Sequence, residues 1–420
     1  MDYISLIVLV AVIAAAFIFK VNTGLAAIMA SLVLVYATGM PEKFIINSFD
    51  SKMFLMLFGV MYLFCIAQEN KTLDVLARKV IALCKGKVKI FPVILFLLGA
   101  VLSAIGPGLI SVTALMAAII VALARQTGCK PISLLPFGTL GSFAGGLSPI
   151  TPSGIVAMGK AEEAGILGLA GPLNLKMALV NVLFAAVLYF FVFKWHKFTP
   201  APAAEGAENE KVPPFTGKQW ATLTGIAAVA VMAFLGINVG LAAVCVAVLL
   251  TVFRCADEGA ALKKISWGTL LMISGMGILI SLVTELGGID LLCNGLQKLV
   301  GNSTASAIMC LLAGVMSWFS SASGVVMPTL IPTVPALAAS LSGGNALVIT
   351  VGLCIGAHMA ALSPLSSCGG LMLAAYSSSG EVTAKDRNRA FLQLFGMSAG
   401  GLVFATVLAL AEGLIRGLLG

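Results

Sequence analysis

Long apolar runs alternate with short polar ones along this chain. Apolar spans occupy residues 4–19, 24–39 and 53–68. Residues 73–89 interleave charges with Val, Leu and Ile, which predicts an amphipathic helix lying at an interface rather than crossing it. Residues 91–124 are apolar again but broken at Gly106-Pro107-Gly108. Each arm is about 15 residues, or about 22 Å of helix, short of the roughly 30 Å hydrocarbon core of a bilayer. A re-entrant hairpin is therefore predicted, with a kinked full span as the alternative. Residues 131–168 hold a second interruption, Gly146-Leu147-Ser148-Pro149-Ile150-Thr151-Pro152-Ser153-Gly154. A helix does not run undisturbed through Ser-Pro-Ile-Thr-Pro, because each proline removes a backbone donor and crowds the preceding turn. Residues 173–194 form a clean span, and 197–218 are a Pro-, Ala- and Glu-rich aqueous linker.

After the linker the pattern starts again. Asn22-Thr23-Gly24-Leu25-Ala26-Ala27 returns as Asn238-Val239-Gly240-Leu241-Ala242-Ala243, an offset of 216. Gly59, Glu69 and Asp74 return as Gly275, Glu285 and Asp290 at the same offset. Leu97-Leu98 and Ser103 return at 214 as Leu311-Leu312 and Ser317, and Ser148-Pro149 returns at 215 as Ser363-Pro364. The chain thus reads as a duplicated unit: a first repeat over 1–196, the linker 197–218, and a second repeat over 219–420. Each repeat has five crossings, one of them broken, plus one hairpin. An odd number of crossings puts the second copy in the opposite orientation. The predicted fold class is an all-α polytopic membrane protein of two inverted-topology repeats, each with five transmembrane helices and a re-entrant helical hairpin.

Composition strengthens this. Sixty percent of residues are hydrophobic and 10% charged, far from the quarter charged of soluble domains. The 45 glycines and the lack of period-two alternation favour helical spans over a barrel. The nine cysteines show no CxxC or metal-like spacing, so small core residues and no disulfide are expected. His196 sits in a basic juxtamembrane run and is expected to be solvated. Met1-Asp2-Tyr3 lacks a basic leader, so the first helix is expected to be retained. The net charge of +8 has a membrane explanation and does not point to nucleic acid. With both termini outside and the linker inside, Lys20, the bases of 71–89, Arg125, Lys130, Lys194, the linker bases, Arg254, Lys263, Lys264, Lys385, Arg387 and Arg389 are all cytoplasmic. That is 19 of the 25 Lys and Arg, as the positive-inside rule requires.

Paired interruptions in corresponding positions of two halves point to a transporter's binding site. Unwound backbone at membrane depth survives only where it is buried in protein or lines a wet cavity. Few bases are available there, so an anion would rely on helix N-termini and hydroxyls. Ser103, Ser111, Ser148, Thr151 and Ser153 are candidates from one half. Ser317, Ser320, Ser321, Ser323, Ser363, Ser366 and Ser367 are candidates from the other. Gly106, Pro107, Gly108, Pro149 and Pro364 shape the breaks. The competing explanation for each hydroxyl is that it bonds its own backbone. His358, whose repeat counterpart is Phe143, is an intramembrane ionisable residue and so a functional candidate, or else a neutral packing histidine. Glu69 and Glu285 end the third span of each half and suit a cap or ion pair.

The phrases Asn22-Thr23-Gly24, Gly59-Val60-Met61-Tyr62-Leu63-Phe64, Ala104-Ile105-Gly106 and Gly145-Gly146-Leu147-Ser148-Pro149-Ile150 resemble the amino-terminal domain of MatC-type malonate/dicarboxylate carriers. The duplicated plan of hairpin plus broken helix resembles the wider ion-transporter superfamily, which includes the divalent anion:sodium symporters. The resemblance covers nearly the whole chain as architecture and is specific mainly in the first half. It implies secondary transport of small carboxylates such as malonate or a C4-dicarboxylate, a homodimer in the inner membrane, and an elevator-like mechanism, with no cofactor. The sodium-dependent relatives carry Ser-Asn-Thr at both hairpin tips, whereas here the tips read Gly106-Pro107-Gly108 and Ser321-Ala322-Ser323.

The expected coupling ion is Na+. A proton-coupled carrier holds its proton on an intramembrane Asp, Glu or His, and near the breaks only His358 qualifies. Sodium needs only oxygen ligands. Unwound carbonyls around Gly106, Gly108, Ser148 and Thr151 would form one cage, and those around Ser321, Ser323 and Ser363 a second. A proton passing through His358, or exchange of another anion, is the rival reading. An intramembrane serine hydrolase is the remote one: Thr151-Pro152-Ser153-Gly154 and Ser321-Ala322-Ser323-Gly324 lack the first glycine of Gly-x-Ser-Gly, and duplicating a nucleophile serves no such mechanism. From the basic-residue division, a reporter fused after Gly420 is expected on the outer face; a cytoplasmic signal would overturn the inverted-repeat orientation.

Overall fold

The computed structural model describes residues 1–82, 88–127, 129–197, 213–235, 237–298, 300–377 and 382–419. Most of the linker, 198–212, lies outside the described residues. The described chain is helical throughout. The first half comprises α1 (Asp2–Phe19), α2 (Thr23–Thr38), α3 (Lys43–Asn47), α4 (Ser51–Glu69), α5 (Thr72–Ala82), α6 (Phe91–Ala104), α7 (Leu109–Thr127), α8 (Leu135–Gly145), α9 (Pro152–Glu163) and α10 (Ala170–Val187). The second comprises α11 (Gly217–Phe234), α12 (Val239–Val252), α13 (Glu258–Lys264), α14 (Trp267–Glu285), α15 (Gly288–Gln297), α16 (Ala305–Phe319), α17 (Met327–Leu330), α18 (Val334–Ala339), α19 (Ala346–Met359), α20 (Ser367–Ser377) and α21 (Ala384–Leu419). Each element of the first half has its counterpart in the second. The one difference in kind is α7, whose counterpart is divided: Pro328, Pro332 and Pro335 interrupt it into a π-helical turn (Ala322–Val326), α17, a 3-10 turn (Ile331–Thr333) and α18. Among the described residues, six helices are long and apolar enough to cross a membrane.

The repeat motifs set how the halves interlock. Asn22 caps α2, its Oδ1 accepting from the Gly24 and Leu25 amides, and Asn238 caps α12 through Gly240 and Leu241 in the same way. These caps put Gly24 and Gly240 in the first turns, where α2 packs on α14 and α4 on α12. A Cβ on Gly24 would lie 2.0 Å from the Leu271 carbonyl oxygen, and one on Gly275 2.1 Å from the Gly24 oxygen. The second crossing repeats the first: a Cβ on Gly59 would lie 2.1 Å from the Gly240 oxygen, and one on Gly240 2.3 Å from Met56 Cα. In lipid, apolar burial does little to hold helices together, and close backbone approach through small residues does more. The recurrence of Gly24 and Gly59 216 residues later is this one crossing, made twice.

Around it pack the two hairpins and the broken helices. All of α8 is buried, as is α19 from Val348 to Met359. α6 packs along α8 and α16 along α19. Glycines again allow the approach: a Cβ on Gly141 would meet the Phe96 oxygen at 2.0 Å, and one on Gly356 the Cys310 oxygen at 1.9 Å. The eight described cysteines are free, and all but Cys245 are buried.

Both hairpins are re-entrant. Lys89, just before α6, donates to the His196 carbonyl at 3.3 Å, and Trp195 Nε1 donates to the Ser133 carbonyl, just after α7, at 3.3 Å. The start and finish of the first hairpin therefore meet the same end of the bundle, where α10 finishes. In the second hairpin, Ser306 at the start of α16 donates to the Val348 carbonyl of α19 at 3.1 Å, beyond the return arm. A Cβ on Gly413 of α21 would lie 2.0 Å from the Ser303 oxygen, so this hairpin opens where α21 finishes. Those two ends are opposite, because Lys176 near the start of α10 is ion-paired with Glu412 near the end of α21 (2.5 Å). The halves are inverted, as their odd number of crossings requires.

The glycine crossings yield a paired test. Gly59→Ala and Gly275→Ala each force the backbones apart, an overpacking cost of about 1–3 kcal/mol, and each is expected to lower the unfolding temperature in detergent by a few degrees. Gly277→Ala, on the same helix as Gly275 but with nothing within 4 Å of the added carbon, is expected to leave it unchanged.

Candidate functional site

The two broken helices are stopped by the same device. Thr151 Oγ1 donates to the Gly146 and Ser148 carbonyls, both at 2.7 Å, and accepts from the Gly154 amide at 3.0 Å, capping α9. At offset 215, Ser366 Oγ donates to the Ala361 and Ser363 carbonyls and accepts from the Gly369 amide, at 2.5, 2.7 and 3.4 Å. The freed carbonyls and amides of each break are thereby satisfied inside the protein. Each turn folds back tightly enough to require glycine three residues on: a Cβ on Gly154 would lie 1.8 Å from the Ser148 oxygen, and one on Gly369 2.0 Å from the Ser363 oxygen. The shared phrase is Ser-Pro-x-(Thr/Ser)-x-x-Gly.

The hairpin tips differ. Gly106 (φ 129°) and Gly108 (φ 87°) turn the first in left-handed conformations, and a Cβ on Gly106 would strike Phe64 at 2.3 Å. The second tip has serines: Ser320 Oγ donates to the Met316 carbonyl at 2.8 Å, and Ser321 Oγ accepts from the Gly324 amide at 3.1 Å.

These four breaks surround one cavity that opens to solvent. Pro107, Gly108, Ser153, Ser320, Ser321, Ser323, His358, Ser366 and Ser367 line it, together with Ser111 and Ser317. Ser103, Gly106, Ser148, Pro149, Thr151, Ser363 and Pro364 do not; Ser103, Thr151 and Ser363 are buried, whereas Pro149 is exposed. Thr151 Oγ1 bonds its own backbone, and so does Ser366 Oγ, although that residue reaches the wall. α7, α9 and α20 begin at the cavity and direct the positive ends of their dipoles toward it. No Asp or Glu is among its lining residues.

His358 is fully buried, with Nδ1 2.9 Å from the Cys354 carbonyl oxygen and Nε2 without a hydrogen-bond partner among the described residues. Because the carbonyl only accepts, this contact keeps the proton on Nδ1 and leaves Nε2 of the neutral ring free to accept. Ser103 Oγ is likewise buried and unpartnered, and lies beside the first break: a Cβ on Gly146 would be 3.5 Å from it. Among the described residues no group of His, Cys, Asp and Glu is placed to hold a transition metal.

Sequence reasoning missed Lys264. It lines the cavity mouth with Gln68, Ser266 and Thr269, and it is ion-paired with Glu69. Glu69 is thus the ion-pair partner its repetition suggested, but its lysine has no repeat counterpart: 216 residues earlier stands Ser48. Nothing in the local sequence of α13 distinguishes Lys264 from an interfacial charge.

Two inverted halves whose hairpins and broken helices converge on one cavity define a multi-pass membrane transporter rather than an enzyme. Residues 8–356 match the model of the citrate transporter family (CitMHS), and the chain belongs to that family. The match runs through most of α19 and stops just short of His358. Among solved structures, the chain is similar to the crystal structure of the Alcanivorax borkumensis YdaH transporter, at 13% identity and a TM-score of 0.60, over 89% of this chain and 87% of that one. At that identity the likeness speaks to the fold alone. No curated protein sequence matches the chain.

Thr151→Val and Ser366→Ala each remove a hydroxyl that serves three backbone groups, and each is expected to cost about 1–2 kcal/mol of stability. Thermal unfolding in detergent should show the loss. Thr151→Ser and Ser366→Thr, which exchange the hydroxyls of the two halves, are expected to be tolerated.

Proposed function

We propose that this protein is a secondary active transporter of small carboxylates, a dicarboxylate such as malonate or a C4-dicarboxylate, working by elevator-type alternating access and coupled to sodium. The observation that carries this reading is the cavity wall: helix N-termini, serine hydroxyls, one histidine and one lysine, without an acidic side chain among the lining residues. Such a wall stabilises negative charge and offers donors to a carboxylate at more than one side. Membership of a family named for citrate, and MatC-like phrases in the first half, support the carboxylate class. Both hairpin tips meeting at the cavity supports alternating access, since moving hairpins and broken helices together carries the site without dismantling it.

Sodium fits the donor set. The first break offers carbonyl and hydroxyl oxygens without a fixed charge, and Ser103 Oγ, buried beside it, has a free acceptor. The carbonyls near Gly106, Gly108, Ser148 and Thr151, and those near Ser321, Ser323 and Ser363, are the ligands in this reading. A bound cation would offset the charge of a carboxylate that otherwise meets mainly dipoles. The orientation read from the basic residues makes Gln68, Lys264, Ser266 and Thr269 the cytoplasmic mouth, so the cavity described is the inward-open one, in a homodimer of the inner membrane. His358, which lines the cavity and whose Nε2 has no partner among the described residues, favours the second reading, a proton-coupled carrier.

Proteoliposomes separate these. Saturable, counter-exchanging uptake of a dicarboxylate that collapses without sodium and persists in His358→Gln is expected. Uptake that ignores sodium, follows an imposed proton gradient and is lost in His358→Gln would overturn sodium coupling. Non-saturable flux without counter-exchange would indicate a pore.

A further inference from the structure

The cavity is nearly symmetric in its backbone and asymmetric in its charge. Lys264 is the one ammonium among its lining residues, and it sits at the mouth rather than at the breaks. α13 holds it there. Asp257 caps that helix by accepting from the Ala260 amide at 2.6 Å, Tyr62 of α4 donates to Glu258 at 3.3 Å, and Trp267 Nε1 donates to the Leu262 carbonyl at 3.1 Å. Lys264 is therefore the last residue of a helix pinned to α4 at its beginning and to α14 near its end. Its side chain remains 42% exposed, and the Glu69 carboxylate that binds it is 25% exposed. Water reaches both partners, and so can a solute entering the cavity.

Glu69 does not line the cavity, whereas Lys264 does. Lys264 thus meets both the cavity and the Glu69 carboxylate. Glu69 presents the same chemical group as one end of a dicarboxylate. An exposed pair of this kind contributes little to stability, because solvent already screens both charges; its exchange for another carboxylate is correspondingly easy. Among the described residues the arrangement has no counterpart in the other half. In the other half Glu285 ends the equivalent helix, but the position equivalent to Lys264 is Ser48.

We infer that Lys264 and Glu69 form a charge-exchange gate for the substrate of the transport reading above, on which this inference rests. The incoming carboxylate displaces Glu69 from Lys264, and Glu69 re-forms the pair when the substrate moves inward or leaves. Lys264 is then a specificity-determining residue that favours anions at this face of the carrier, and Glu69 is an internal competitor that limits how tightly they are held.

The two roles predict opposite signs. Initial rates of dicarboxylate transport are measured in oriented proteoliposomes, with substrate presented at the Lys264 face. Removing one exposed charge from such an interaction changes affinity by a factor of up to about five. Lys264→Gln is expected to raise KM about five-fold with Vmax nearly unchanged, and Lys264→Arg to restore it. Glu69→Gln is expected to lower KM about two- to three-fold. The double variant should match Lys264→Gln alone, since without the lysine the competitor has nothing to withhold. At the opposite face none of these variants should shift KM, and at high ionic strength with sodium held constant the shifts should shrink. If Glu69→Gln raises KM as Lys264→Gln does, or if both act equally at the two faces, the pair is a structural strap and the gate is wrong. If the wild-type protein transports no carboxylate, the transport reading itself fails, and the gate with it.

Discussion

Backbone polar groups cannot be left bare in an apolar interior, and this constraint shapes the molecule. Two helices are interrupted within the bundle, and each interruption frees carbonyls and amides that a continuous helix would have paired. One hydroxyl at each break, Thr151 or Ser366, bridges the carbonyls before it and caps the amide after it. With the backbone satisfied in this way, a helix can restart in the middle of the bundle and direct its N-terminus at a cavity. The prolines stop the helix, and the glycine three residues after the hydroxyl lets the restarted turn fold back.

The same economy of small residues assembles the halves. Gly24 against α14 and Gly59 against α12 bring backbones close enough for dispersion to hold helices that lipid would solvate equally well apart. Each crossing joins the two halves, so the duplicated unit packs as one bundle. α8 and α19 can then be buried on all sides, which is what allows the breaks to be surrounded by protein.

Function enters where the symmetry fails. The first hairpin tip is turned by glycines and the second by serines; His358 replaces Phe143; Lys264 replaces Ser48. A carrier with two identical mouths would treat its two sides alike. These departures put an ammonium and an imidazole among the residues that line the cavity.

The sequence alone determined the all-helical membrane class and the positions of all four breaks, and it carried the repeat on which the duplicated plan rests. Each of these rests on local physics: apolar run length against bilayer thickness, the missing amide of proline, and a repeat offset that survives in the residues packing most tightly. It could not say which hydroxyls face the cavity. Ser148, Thr151 and Ser153 lie within six residues, yet only Ser153 reaches the wall, because an irregular turn has no periodicity from which to read direction. Nor could it find Lys264, which meets Glu69 across 195 positions of chain. That meeting is decided by how α13 docks on α4, and docking depends on the whole surface of both helices, which local pattern does not carry.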